Sequence, residues 1–250
     1  MYNKIKSTFA VSVFVFLITG CSSNHVSQKE FSYRESILLK ANNYGGLISL
    51  YRDQLKRKED DSVRLKLANA YYLAGDSQSS LYYSKPIVDK ENESYYILQT
   101  KNLINSNDTI AANIAVKKLL VISPNNSEAH NLNGIILANK GEIHKAKTAF
   151  EQARSLFISD ETAMNNLAVV AMLDERYTDA VRILLPDYLA GNKNPPLLHN
   201  LVFSLIQLGD TSYAKKIIIA DKMATDPDEL ILALSQVSHL RQQKLNSEGA

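Results

Sequence analysis

The chain has 250 residues, 45% hydrophobic and 22% charged, with no tryptophan and one cysteine, a globular makeup with enough apolar residues for a substantial core. A single cysteine excludes an intramolecular disulfide. Its 28 basic residues against 26 acidic ones give no basic stripe of the kind a nucleic-acid binder needs.

Residues 1–20, MYNKIKSTFAVSVFVFLITG, place Lys4 and Lys6 ahead of an apolar run from Phe9 to Ile18. That order reads as a secretory signal peptide, too short for a membrane span. Its removal would take away two lysines and no acid, leaving a neutral chain. Ile18-Thr19-Gly20-Cys21 resembles the bacterial lipobox, in which the cysteine becomes lipidated and N-terminal; Ile stands where Leu is usual. The only cysteine falls where a lipobox needs it. One acyl chain anchors weakly, at about 0.8 kcal/mol per buried CH₂, and the lipoproteins this chain resembles carry three. Ser22 after the cysteine, in place of Asp, implies by the same resemblance export to the outer membrane, facing the periplasm. Residues 21–30 then form a polar, lipidated tether.

A helical pattern begins at Phe31, with Ile37, Leu38 and Ala41 on one face, a turn over Asn42–Gly46, and a second helix from Leu47 to about Lys58. Asp61 opens a clearer pair, with Leu67, Ala68, Tyr71 and Gly75, and Ser80 where an alanine is expected. The pair from Glu93 has Gln99 and Thr100 in place of Leu and a small residue, then Ala112 and a closing Pro124. Ser127 opens the best-defined unit, carrying Gly134, Leu137, Gly141, Ala146, Phe150 and Ala153. Leu167, Ala168, Ala171 and Ala180 follow in the next, and Leu201, Leu205, Gly209 and Ala214 in the last. Pro86 and Pro186 sit late in the second helices of their units and predict a bend or an early end. Pro195-Pro196 open the last full unit, where proline is tolerated. From Asp228 to about Lys244, Leu230, Leu234, Val237 and Leu240 form one stripe, the pattern of a cap over the final repeat.

Ala112, Ala146, Ala180 and Ala214 recur every 34 residues, the period of the tetratricopeptide repeat, a helix–turn–helix unit. The small residues let paired helices approach, and Leu137 and Phe150 fill the remaining volume. The predicted fold is therefore all-α: a superhelical tetratricopeptide-repeat solenoid over residues 31–245, of about five repeats with a C-terminal capping helix, and a frayed tail over 246–250.

Neither a phosphate loop, HExxH nor GxSxG occurs. His25, His130, His144, His199 and His239 have no partner at metal-ligand spacing, so neither metal nor cofactor is expected, and no catalytic residue or small-molecule substrate. Asp60-Asp61 and Asp228-Glu229 fall at predicted helix starts, where carboxylates favour the dipole. Three glycosylation-like sequons, starting at Asn92, Asn107 and Asn125, read as turn and cap residues beside a bacterial lipobox.

Function then rests on a surface. Tetratricopeptide arrays line their concave groove with first-helix residues at fixed repeat positions. By that resemblance the groove comprises Asn69, Tyr72, Lys101, Asn131, Ile135, Asn165, Val169, Met172, His199 and Phe203. Amides mixed with apolar groups suit an extended peptide or a partner helix. The basic cluster that clamps a C-terminal carboxylate in chaperone-binding members is absent, since only Lys101 is cationic.

Residues 165–210 narrow the resemblance. Asn165-Asn166-Leu167-Ala168, Leu184-Leu185-Pro186, and Pro195-Pro196 ahead of Asn200-Leu201 resemble the TadD-type tetratricopeptide lipoproteins of tight-adherence (Tad/Flp) pilus assembly. The resemblance implies a pilotin-like scaffold that binds an outer-membrane secretin or another assembly component. Two alternatives share the layout: the pilotin lipoprotein of type IV pili, and a lipoprotein regulator of a peptidoglycan synthase. The lipobox carries the first test. Cys21→Ser should leave the precursor unprocessed and absent from sedimented outer membrane; normal processing of that variant on an immunoblot would remove the anchor.

Overall fold

The computed structural model describes residues 28–87 and 92–248, those from Ser238 onward by backbone alone. The leader, Cys21 and most of the tether lie outside the described residues. Thirteen α-helices make up the described chain: α1 Gln28–Lys40, α2 Tyr44–Arg57, α3 Asp61–Leu73, α4 Ser77–Ser84, α5 Glu93–Asn105, α6 Thr109–Ile122, α7 Ser127–Asn139, α8 Ile143–Ser155, α9 Asp160–Leu173, α10 Tyr177–Leu189, α11 Pro195–Gln207, α12 Thr211–Ala220 and α13 Pro227–Glu248.

The chain divides at Asn43 into two compact units, with α1 in the first and α2–α13 in the second. In α1 the expected face fails: Phe31 is its buried residue, while Ile37 and Ala41 are exposed. The helix also starts three residues before Phe31. Its successor starts early too. Tyr44-Gly45-Gly46 form the first turn of α2, directly after Asn42 in the left-handed region at φ 49° and Asn43.

Within the second unit the 34-residue register sets the packing. Ala112, Ala146, Ala180 and Ala214 are all buried without residual exposure. Each stands on the second helix of a pair, where a larger side chain would force the helices apart. Gly134 shows how close the approach is: a Cβ there would lie 2.5 Å from the Phe150 ring. Ser80 fills the same register in α4 and is equally buried. Its hydroxyl accepts a 2.7 Å hydrogen bond from Asn102 Nδ2 on α5, so a polar pair stands where the other repeats place alanine. Nearby, Gln99 Nε2 donates to Ser84 Oγ at 2.7 Å, and Thr100 Oγ1 to the Tyr96 carbonyl.

The ends of these helices are chemically marked. Asp60, Asp76, Asn92, Asp108, Asn126, Ser159, Asn194 and Asp210 each accept a backbone N–H through the side chain at an N-cap, a bond worth about 1 kcal/mol. Two backbone N–H donors, from Val63 and Ser62, hold the Asp60 carboxyl below its ordinary pKa. The sequon residues Asn92 and Asn107 find structural work, the first as a cap and the second at φ 57°.

The two late prolines behave differently. α4 stops at Ser84, ahead of Pro86, as expected, whereas α10 runs through Pro186 to Leu189. Its last turn is held from outside: Tyr188 Oη donates to Asp221 at 2.8 Å and Asn192 Nδ2 to Asp187 at 2.9 Å. At the far end, α13 packs Leu230, Ile231 and Leu234 on the core built from α11 and α12. Val237 is exposed, so the capping stripe is shorter than the sequence implied. The backbone stays helical to Glu248, past Lys244 and through part of the expected frayed tail.

Curvature follows from which helices touch. First helices pack against their counterparts one repeat away, α3 on α5, α5 on α7, α7 on α9 and α9 on α11, while second helices do not meet one another. The first helices therefore line the inner, tighter face of the solenoid and the second helices its outer face. The Gly134–Phe150 contact gives a direct test. Gly134→Ala should lower stability by about 0–2 kcal/mol, since overpacking costs about 1–3 kcal/mol and helix propensity returns about 1. A thermal melt should show part of that loss recovered when Phe150→Leu is added; a stabilised single variant would contradict the contact.

Candidate functional site

The groove residues expected from repeat position all lie on first helices, yet the structure gives them different work. Asn131 of α7 is buried, and its Oδ1 accepts from Asn166 Nδ2 of α9 at 2.6 Å. Asn165 Oδ1 accepts from Asn200 Nδ2 of α11 at 2.8 Å, and Asn165 Nδ2 reaches Asn166 Oδ1 at a long 3.5 Å. Four carboxamides thus form a ladder across three successive first helices. Asn131 and Asn165 are brought into one network, and Asn166 and Asn200 join it.

The other expected residues do not join the ladder. Asn69 and Lys101 line a cavity of about 320 Å³ between α3 and α5, together with Leu65, Lys66, Ser94 and Ile97. Lys101 is not a free cation: its Nζ lies 2.9 Å from Glu128 Oε1, a half-exposed pair worth about 0–1 kcal/mol. Tyr72 and Val169 are half-buried and His199 is exposed. Ile135 and Met172 pack against the apolar cores beneath them. Phe203 meets the Tyr177 ring edge-on at 6.0 Å.

A second inter-repeat device escaped the sequence reading. Glu93, at the start of α5, accepts from Asn126 Nδ2, the cap of α7, at 2.7 Å and from Ser123 Oγ at 2.6 Å. Glu161, near the start of α9, accepts in the same way from Asn194, the cap of α11. An acid opening one first helix ties down the cap of the next. The signal was an acid followed 33 residues later by asparagine, visible only once the caps are placed.

Among the described residues no group of three or more His, Cys, Asp or Glu side chains could hold a metal ion. What the inner face offers is ordered amides flanked by half-buried apolar side chains. A primary carboxamide has two donors and two acceptor lone pairs. Ladder bonds occupy part of that capacity and fix the planes of the rest.

No family model matches the chain, and no curated protein matches it in sequence. Solved structures do resemble it. TTC0263, a tetratricopeptide-repeat protein of Thermus thermophilus, is 18% identical with a TM-score of 0.61, over 72% of this chain and 100% of that one. A tetratricopeptide repeat protein from Parabacteroides merdae is 12% identical with a TM-score of 0.69, over 87% and 86%. PilW, a widely conserved type IV pilus biogenesis factor, is 17% identical with a TM-score of 0.61, over 75% and 92%. At these identities the likeness is one of fold: an all-helical tetratricopeptide-repeat solenoid, as the 34-residue period predicted.

The ladder makes a quantitative expectation. Asn166→Ala leaves the buried Asn131 carbonyl oxygen without its donor and should cost about 1–3 kcal/mol. Asn69→Ala, exposed in the cavity wall, should stay within about 0.5 kcal/mol. Chemical denaturation of both variants separates a structural ladder from free groove amides, and equal midpoints would remove the ladder's structural role.

Proposed function

We propose that the chain is a protein-binding scaffold lipoprotein, held by Cys21 at the periplasmic face of the outer membrane, that serves tight-adherence pilus assembly by gripping a secretin or another assembly component. The single observation that carries the binding role is the inner face itself, where amides held in register across three repeats border half-buried Ile135, Val169 and Met172. An extended peptide backbone or a partner helix supplies the complementary N–H and C=O groups and apolar side chains. The lipobox supports the location, and the 165–210 block supports the pilus system.

PilW's fold supports a second reading in the same field, a type IV pilotin-like lipoprotein. Both readings place recognition on the first helices. Because Asn131 and Asn165 hold the ladder, the discriminating variants belong at exposed inner positions. Asn69→Arg combined with His199→Glu should leave helical circular dichroism and membrane abundance unchanged. Surface pili, or multimers of the secretin, should fall at least about tenfold, because charges without partners in a binding groove cost about 2–5 kcal/mol. Normal piliation at native abundance would show that the inner face is not the working surface.

A further inference from the structure

Second helices that do not meet leave channels on the outer face. One lies between α6 and α8 with α7 as its floor, about 720 Å³, bordered by Asn113 and Lys117 on one side and Lys145 and Thr148 on the other. The helices beside it differ in kind. The outward side of α8 carries exposed polar residues such as His144, Lys147 and Glu151. On α6 the outward side carries Ile110, Ile114 and Val121, exposed to 78%, 54% and 82%. Offsets of four and then seven residues put them on one stripe of the helix. Single exposed apolar residues need no explanation, but three on one stripe of one helix mark an interaction site.

Charge selects the occupant. Lys140 and Lys145 both bind Glu142, whose carboxyl is held down to about 2 by hydrogen bonds from Lys140 and then Lys145. Lys147 pairs with Glu151 at 3.6 Å. Lys117 and Lys118 of α6 pair with no carboxylate among the described residues; Lys118 Nζ lies 6.0 Å from the centre of the Tyr96 ring. The stripe is thus apolar with two uncompensated cations inside it, and Lys117 also lines the channel.

We propose that the outer face of α6, with the channel it shares with α8, takes an acidic amphipathic helix of a partner protein, separately from the inner groove. Helices pack with axes about 8–10 Å apart, ridge into groove, and a helix laid along α6 would set one ridge into the recess beside it. Its apolar stripe would cover Ile110, Ile114 and Val121, and its carboxylates would face Lys117 and Lys118. A bilayer fits less well. Its surface is flat and would leave the recessed channel beside α6 unfilled.

The test is photo-crosslinking in the full chain, with p-benzoylphenylalanine at Ile114 in the native host. Irradiation should give a protein adduct whose crosslinked peptide, by mass spectrometry, lies in a helical segment of net negative charge. Lys117→Glu with Lys118→Glu should reduce that adduct at least about tenfold without moving the thermal melt. The inner-face variant Asn69→Arg with His199→Glu should leave it intact. Crosslinking to lipid would assign the face to the membrane, and crosslinking to a second copy would assign it to self-association. Either result, the lack of any adduct, or an adduct indifferent to the charge reversal overturns the proposal.

Discussion

Everything above the level of the single helix depends on how near the two helices of a repeat can come. At one register position the second helix presents Ala112, Ala146, Ala180 or Ala214, each fully buried, and at the facing position of the best-formed repeat Gly134 leaves room for Phe150. A methylene added there has no space to enter, because the surrounding side chains already fill the interior. Close pairing constrains the turn between the two helices of a repeat. The turn then fixes where the next first helix starts, and so where the caps and the inner face fall.

That constraint was legible because it repeats. Four alanines at one interval state the fold more firmly than any single helix pattern, whereas only some of the caps, such as Asp60 and Asn92, were legible as acids or sequon asparagines at helix starts. The turns were only half readable. Gly141 and Gly209 announce a left-handed residue, but the same register positions hold Asn107 and Glu175, also at positive φ. Glutamate is a poor choice there, since left-handed backbone costs a non-glycine residue roughly 1–2 kcal/mol. The turn survives because the Arg176 N–H bonds to the Ala171 carbonyl at 2.8 Å. Pro186 does not shorten α10, for a related reason: a tertiary bond from Tyr188 to Asp221 and a local one from Asn192 to Asp187 hold a helical turn that local propensity alone would end.

The inner face shows a different limit. Repeat position picked out Asn131 and Asn165 correctly as one column, yet took their amides to be free for a partner. Hydrogen bonds in the ladder run diagonally, between residues 35 apart, one more than the repeat. A column reading cannot see a diagonal bond. It also overlooks Glu128, whose carboxylate neutralises the one cation expected in the groove.

The repeats are unequal in a way that bears on where the array gives way. A solenoid's stability is close to a sum of repeat terms and nearest-neighbour interfaces. Toward the C-terminal end, α11 buries Leu197, Leu198, Leu201, Val202, Leu205 and Ile206 against its neighbours. Between α4 and α5, Ser80, Ser84, Gln99 and Asn102 add two side-chain hydrogen bonds to the packing. Each such hydrogen bond contributes only about 0.5–1.5 kcal/mol net. Asn102 Oδ1, buried with no donor among the described residues, works against the total. Apolar burial adds with area and tolerates small displacements, whereas a hydrogen-bonded seam holds only while its geometry is met. The α4–α5 seam therefore tolerates less displacement than the apolar packing around α11. Asn69 and Lys101 line their cavity from α3 and α5, on either side of that seam, so the shape of this part of the inner face rests on the seam's geometry.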